Sequence, residues 1–591
     1  MAVVEIRPAA VPSVAVAGKA MPGVLVAARV ERSMGLAGRA VLRFAPVPTD
    51  WQPASAIAFG DAVTVGVPAA AAGGTQEDLF VGTVTGVQLE QHHGVRELVV
   101  TADDAASRLA LGTQTKAYVG QSYRAIVGAI ASRAGLTVTS SAPSDTATEN
   151  AYYLQSGTDL ELLEHVAGRT GRVWWIEGRN TLRWEAPDVS DGTVEIGIND
   201  GDSFTVRATG LKAESVDVVG WDPAQQKEFV ETKTTARASA PALATGFPGP
   251  AEGKKKLVMR DASPLTPAEA TALATSVAAE AAAEAVQARG EIGYAVGLAP
   301  AVSVKVSGTG VLDGTFRLTE VEHVYTRNGG LRVRFVAGPL RPSGLVDLLG
   351  GPPRRGGHTL DGVLAGVVTN VTDPDGHGRV KVKFSTQGDQ VESAWARLVT
   401  IGAGSQRGLE FQPEVNDEVL LAFELGDVRR PVVLGGLFSD KNVLPTSPDK
   451  GNIASGQVTY RRITTRLGHV IELADGSGAS TQHVRIELGG KKDRIRLGAD
   501  KTEITVDHKP VTITNGDATI SLTDAGDVTI EANNITLKAK QNVKVEGVQV
   551  GVKGSAETKV EGAQLAVKAS GMAEVNGGGQ LALKGGMVMI N

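Results

Sequence analysis

The chain has 591 residues, with 59 Lys plus Arg against 65 Asp plus Glu, a formal charge of -6. It has no cysteine, which excludes disulfides, thiolate metal sites and thiol nucleophiles, and its acidic balance argues against a dedicated nucleic-acid binder. Glycine is abundant at 72 residues and aromatics make up only 4%, a composition that points to many turns and a mainly β protein of several domains.

No apolar run approaches the roughly 18 residues that a spanning helix needs. The N-terminal stretch carries Glu5, Arg7, two prolines and Lys19, and its alternation from Val11 to Ala17 predicts a first strand rather than a signal peptide. Strands follow in "GVLVAARVERS", "GRAVLRFAPV", "DAVTVGV", "LFVGTVTGVQLE" and "VRELVVTADD". A helix is expected from Gln121 to Arg133, with Gly135 beyond its end. A second covers Asp159 to Arg169, capped by Thr158 or Asp159 and followed by Gly171, with Leu162, Leu163 and Val166 on one face. A strand pair turns at Gly178–Asn180. A third, alanine-rich helix starts after Ser263–Pro264 and runs to Gly290, before strands "AVSVKVSG", "GTFRLTEVEHVYTRN" and "LRVRFVAG".

The Pro/Gly/Arg-rich stretch at 351–360 reads as a linker. Five short strands between 361 and 445 are what a small barrel needs. From 446 onward the chain emits short alternating runs and has no aromatic residue after Tyr460. Runs beginning at Val511, Thr519, Val528, Ile535 and Val543 are separated by 8, 9, 7 and 8 residues, and "VGVKGSA", "LAVKASG" and "LALKGGM" recur at 15 and 16. One such strand cannot bury its apolar face or satisfy its edges. A single-chain solenoid with three sides per coil would repeat near 24, whereas three chains wound about one axis would repeat near 8. The observed spacing favours three chains.

The block 361–445, containing "GVVTNVTDPDGHGRVKVKF" and "SAWARLVTIGAGSQRGLEFQPEVNDEVLLAFELGDVRRPVVLGGLF", closely resembles the OB-fold domain of phage baseplate spike and VgrG proteins. The shared positions include Asp373, Pro374, Gly378, Arg379, Trp395, Phe411, Pro413, Asp417, Gly426 and Asp427. Asp373, Pro374 and Gly378 suit a hairpin turn, and Trp395 and Phe411 are expected to pack the barrel. "YLQSGTDLELLEHVAGRTGRVWWIEGRNTLRW" and "GTFRLTEVEHVYTRNGGLRVRF" resemble the hub of the same families, and "VLVAARVERSMGLAGRAVLRF" is most similar to spikes of extracellular phage-tail-like particles.

The resemblance implies a mainly β fold with a few helices. It comprises a hub of two related β-barrel-like domains (1–350), the linker, an OB-fold domain (361–445) and an intertwined trimeric β-helix needle (446–591). It further implies a homotrimeric central spike of a contractile injection machine, non-catalytic and without cofactor. Its expected partners are an inner tube ring at the hub, baseplate proteins, a PAAR-like tip protein and, transiently, a target membrane. Assembly in the cytoplasm as part of a particle, then release or injection toward a target envelope, goes with that reading. The stretch Met587, Val588, Met589 and Ile590 is the expected tip-docking platform. Only "SDKNVLPTSPDKGNIASGQ" separates barrel from needle, too short for the lysozyme domain that some phage spikes carry there.

Other chemistry finds little anchor. None of the nine histidines forms a metal-ligand motif; His92–His93 reads as a turn and His323 as a strand residue with a structural hydrogen bond. No P-loop or G-x-S-x-G is present, and Glu161 with Glu164 reads as a solvated helix face. Between Asp361 and Asp440 there are 7 basic against 12 acidic residues, a net -5 that opposes phosphate binding, so no nucleic-acid partner is expected. A trimeric tailspike or adhesin, or a tail-associated cell-wall hydrolase, are the alternatives. The first needs a recognition head on the stem, the second an extra domain with paired carboxylates.

Overall fold

The alternation read in the first hundred residues becomes strands Ser13–Val16, Val24–Ser33, Arg39–Ala45, Ala62–Val67, Glu77–His92 and Val95–Asp103. They are seen in a computed structural model that describes residues 2–3, 10–52, 57–68, 76–141, 149–197, 199, 201–208, 213–235, 256–260, 263–339, 360, 362–386, 391–445, 453–490 and 492–590. All but one residue of the expected linker lies outside the described residues. The chain divides into two compact units, Met1–Leu444 and Pro445–Asn591.

In the first unit, strand Gly314–Thr326 pairs antiparallel with Val24–Ser33 and so joins strands from both ends of the hub in one 13-stranded sheet. Their inward faces share a core that includes Val63, Leu98, Val100, Phe316, Leu318 and Val333. Two helices lie on a second core. Helix α1, Tyr123–Arg133, is capped by Ser122, whose hydroxyl accepts the Ala125 N–H at 3.2 Å. It begins two residues later than expected because Ser122 spends its side chain on that cap.

Helix α2, Asp159–Thr170, carries a full capping box. The Thr158 hydroxyl accepts the Glu161 N–H at 3.1 Å, and the Glu161 carboxylate accepts the Thr158 N–H at 2.8 Å. The helix ends at Gly171, whose φ of 68° is a left-handed conformation that costs glycine nothing. Leu162, Leu163 and Val166 pack on α1 and on Trp174 and Trp184 of the strand pair Val173–Glu177 and Thr181–Glu185.

Helix α3 spans Pro267–Glu284, with Thr266 as its cap and Pro267 in its first turn. The expected extension to Gly290 is corrected: Val286–Gly293 is a strand, paired with Gly201–Ala208 on one side and Gly330–Ala337 on the other. Helix propensity gives way there because Val286, Ala288 and Ile292 bury into the hub core only when they alternate. Alanines of α3 cover the small sheet Ser215–Asp222, Lys227–Thr234 and Lys256–Met259. Against α2 the approach is closer: the Ser276 hydroxyl donates to the Gly168 carbonyl at 3.0 Å, and a Cβ on Gly171 would lie 3.1 Å from that of Ser276.

The barrel follows as strands Val363–Asn370, Lys381–Phe384, Arg397–Leu398, Glu418–Phe423 and Pro431–Gly436. Bridges Val380↔Ala396 and Lys383↔Glu392 bring its ends together. In the second unit, five strands between Tyr460 and Thr505 form one antiparallel meander, and three between Val511 and Glu531 form another. These octads pair within the chain. From Ala532 to Ile590 no strand forms among the described residues, although the alternation continues.

Truncating the fully buried Leu163 to Ala is expected to cost about 2–5 kcal/mol, and Thr158→Ala about 1 kcal/mol through the lost cap, read from denaturant unfolding monitored at the tryptophans.

Candidate functional site

The two glutamates that suggested enzyme chemistry both take structural hydrogen bonds. Glu161 stays exposed, as expected of a solvated face, and closes the capping box, whereas Glu164 is half-buried and accepts the Trp174 indole N–H at 2.6 Å, which corrects the expectation for that residue alone. His93 sits in the hairpin turn at φ 49°. His323 is buried in its strand, yet neither ring nitrogen has a hydrogen-bond partner among the described residues, which corrects the expected bond. Burial, with the Arg32 charge, holds its pKa down to about 3, so the ring is neutral. Among the described residues no group of three or more His, Asp or Glu is placed to hold a metal ion.

The OB signature does two jobs. At the first turn, the Asp373 carboxylate accepts the N–H groups of Asp375, His377 and Arg379 at 3.1, 3.0 and 3.2 Å. The same carboxylate takes a two-point contact from the Arg379 guanidinium at 2.9 and 2.7 Å. That guanidinium holds the carboxyl far below the usual carboxylate range. Pro374 occupies the turn, and Gly378 supplies a φ of 70°. Arg379 and Lys381 flank the Trp395 ring at 6.0 and 5.5 Å, so Trp395 is half-buried under two cations. Phe411 is 58% exposed, which corrects its expected place in the barrel; Phe384 and Phe423 fill that core with Val380, Val382 and Leu421. Asp417 accepts the Glu414 N–H at 2.8 Å and, with Pro413 half-buried beside it, shapes the turn into Glu418–Phe423.

The second job faces the hub. After Gly426 at φ 75°, Asp427 accepts two bonds from the Arg429 guanidinium, from Nε at 3.0 Å and Nη2 at 2.7 Å. Arg429 Nη1 reaches Glu269 of α3 at 2.7 Å, and its Nη2 donates to the Ser263 carbonyl at 3.0 Å. Glu269 also pairs with Arg169 of α2 and accepts the Leu265 N–H at 2.8 Å. Arg430 donates to the Pro264 carbonyl at 2.7 Å. The Arg169, Glu269, Asp427 and Arg429 side chains are 1, 10, 2 and 4% exposed. Burial would raise the Glu269 pKa, but Arg169 and Arg429 carry it down to about 2. Tyr152 and Leu154 of the hub enter the barrel core beside this cluster. The sequence marks Asp427 only as a barrel residue; its link through Arg429 to Glu269, 160 positions away, leaves no local signal.

In the second unit the register sorts the two sheet faces. Ile463, Ile471, Ile486, Ile495 and Ile504 stand directly opposite one another across five strands, each between 42 and 65% exposed. Ile513, Ile520 and Ile530 repeat the row in the next sheet. The opposite face carries Arg462, Glu472, Arg485, Arg496 and Glu503 in register. Glu472 there takes Arg462, His483 at 3.0 Å and Arg485 at 3.0 Å. Residues 533–590 are all exposed, the expected platform Met587, Val588, Met589 and Ile590 among them. The pairs Lys544–Glu546 and Lys559–Glu561 repeat at the 15-residue offset of the sequence.

Residues 38–329 match the family described as phage tail baseplate hub (GPD), and residues 364–438 the type VI secretion system/phage-baseplate injector OB domain. Among curated relatives, the actin cross-linking toxin VgrG1 of Vibrio cholerae is 31% identical over 90 residues, 13% of this chain and 8% of that protein. The type VI secretion system spike protein VgrG1a of Pseudomonas aeruginosa is 25% identical over 140 residues, 23% and 21% of the two. The matched segments thus span at most about a fifth of these relatives. Among solved structures, the E. coli c3393 protein gives a TM-score of 0.49 at 13% identity, over 72% of this chain and 100% of that one. That protein is described as a component of the type VI secretion system with structural similarity to T4 bacteriophage tail proteins gp27 and gp5.

Because the Asp373 pKa is depressed on folding, its contribution to stability is complete above the unfolded value near 4 and is lost as pH falls through the lower folded value. Asp373→Asn is therefore expected to lower the thermal midpoint at pH 7, with the gap to the native chain narrowing in melts near pH 3.

Proposed function

Taking the chain as what its hub and OB modules make it, a VgrG-like spike protein, we propose that it works as the homotrimeric central spike of a contractile injection machine. The observation that carries this is the pair of isoleucine rows, apolar sheet faces that one chain leaves open to water. Two further copies cover them at once when three sheets close around an axis. Burying the exposed part of each isoleucine is worth about 1 kcal/mol, and the rows hold eight of them per chain. Residues 532–590 then find strand partners in neighbouring chains, which answers why their alternation persists without pairing inside one chain. Ile401, Phe411 and Phe438 of the barrel are likewise large apolar side chains left exposed by one chain.

In this reading the hub (1–350) meets the inner tube ring and baseplate proteins, the OB domain (361–445) forms the neck, and 446–591 is the needle. Met587–Ile590 of three copies seats a PAAR-like tip protein, and the tip meets the target membrane. The work is mechanical: sheath contraction drives a closed β prism without lateral edges, and no catalytic residue or cofactor takes part. The reading suits a phage tail, a type VI system and an extracellular particle alike, each assembled in the cytoplasm.

Light scattering of the purified chain is expected to give about 183 kDa, three times 61.1 kDa, and a version ending at Pro445 a smaller assembly. A monomer at every concentration would overturn the reading. Ile486→Asp is expected to shift the full chain toward monomer, because a charge in the closed row has no partner. Met589→Asp should leave the trimer intact and abolish co-purification of a co-expressed PAAR-like protein.

A further inference from the structure

We infer that the buried charge cluster between hub and barrel is an orientation lock: it fixes one angle of the OB barrel on the hub and contributes little to the net strength of their contact. Four elements converge on it, namely α2 through Arg169, α3 through Glu269, the segment 263–266 through its backbone, and the barrel turn through Asp427, Arg429 and Arg430. Two cations and two carboxylates balance in charge, and all four side chains are almost out of water.

Removing ions from water opposes their mutual attraction, so such a cluster adds little to stability compared with apolar side chains of the same volume. Its distinctive property is direction. The apolar contact of Tyr152 and Leu154 with Val368, Val382 and Phe384 tolerates sliding and rotation, because burial of apolar area has no preferred angle. Hydrogen bonds do not tolerate it, because they weaken steeply once donor and acceptor leave alignment.

The Arg429 fork makes the angle unique. Nε and Nη2 are bound by Asp427 within the turn itself, which aims the planar group so that Nη1 can meet only Glu269. Glu269 is in turn fixed from two other sides by Arg169 and the Leu265 N–H. Rotating the barrel separates Arg429 from Glu269 and Ser263, and Arg430 from Pro264, together. The cations then stay buried with no water to replace the lost partners. The lock is contained in one chain; that it carries thrust from hub to needle rests on the spike reading.

The absence of cysteine allows specific spin labelling of the full chain. Labels would be attached through Arg179→Cys, in the exposed hub turn, and Glu410→Cys, on the exposed barrel loop. Labelled chain would be diluted with unlabelled chain, so that only distances within one chain are read. The native background is expected to give one narrow distance. Arg429→Met should broaden it or add a second distance, with Arg429→Lys intermediate. The apolar replacement of all four groups (Arg169→Met, Glu269→Leu, Asp427→Leu and Arg429→Met) should keep the thermal midpoint close to native while the distribution broadens. An equally narrow distance in the single and fourfold variants would overturn the lock, since apolar shape alone would then set the angle. A fourfold variant that no longer folds would overturn it as well, by making the cluster a stabilising core. Either result is independent of oligomeric state, so it leaves the trimer reading to the mass measurement.

Discussion

A strand with a two-residue side-chain period presents an apolar face that something must cover, and each part of this chain meets that demand differently. The hub joins strands from both its ends into one sheet around a shared core and lays helices over the remainder. The barrel curls until Val380 meets Ala396. The C-terminal unit does neither. Its meanders satisfy most backbone groups within the chain, but their isoleucine rows still face outward, and beyond Glu531 even the backbone is left without a neighbouring strand. The assembly proposed above follows from that unmet demand.

What could be read in advance was what is local. Thr158 and Gly171 bracket α2 within fourteen positions, and the Asp373–Arg379 turn is complete within seven residues. What could not be read depends on distant neighbours. Val286–Gly290 looks helical until strands from 201–208 and 330–337 flank it. Phe411 carries the residue type of a core position, and only the closed barrel reveals that its place lies outside. Octads that pair within a chain and octads left unpaired share one periodicity, because spacing records that a strand is made and not which strand it joins.

The two aspartates of the barrel show how one residue type serves opposite ends. Asp373 gathers backbone N–H groups and an arginine from its own turn, and the result is a stiff corner at the surface. Asp427 binds an arginine of its own turn as well, but there the guanidinium is left with a donor to spare, directed into another domain. Sequence distance between acid and arginine is short in both. The difference lies in what the fold brings opposite the remaining nitrogen.

The close approach of α2 and α3 at Gly168, Gly171 and Ser276 acquires a meaning from where α3 leads. Ser276 and Glu269 lie seven residues apart, about 10 Å along the helix. Any side chain that shims the Ser276 crossing by about 1 Å would tilt α3 by about 5° around its other fixed point. That point is the carboxylate against which the barrel is aimed. Gly171 and Ser276 therefore act as a gauge block: the thickness of one methyl group, set deep in the hub, decides the tilt of α3 about the carboxylate that receives Arg429 of the barrel.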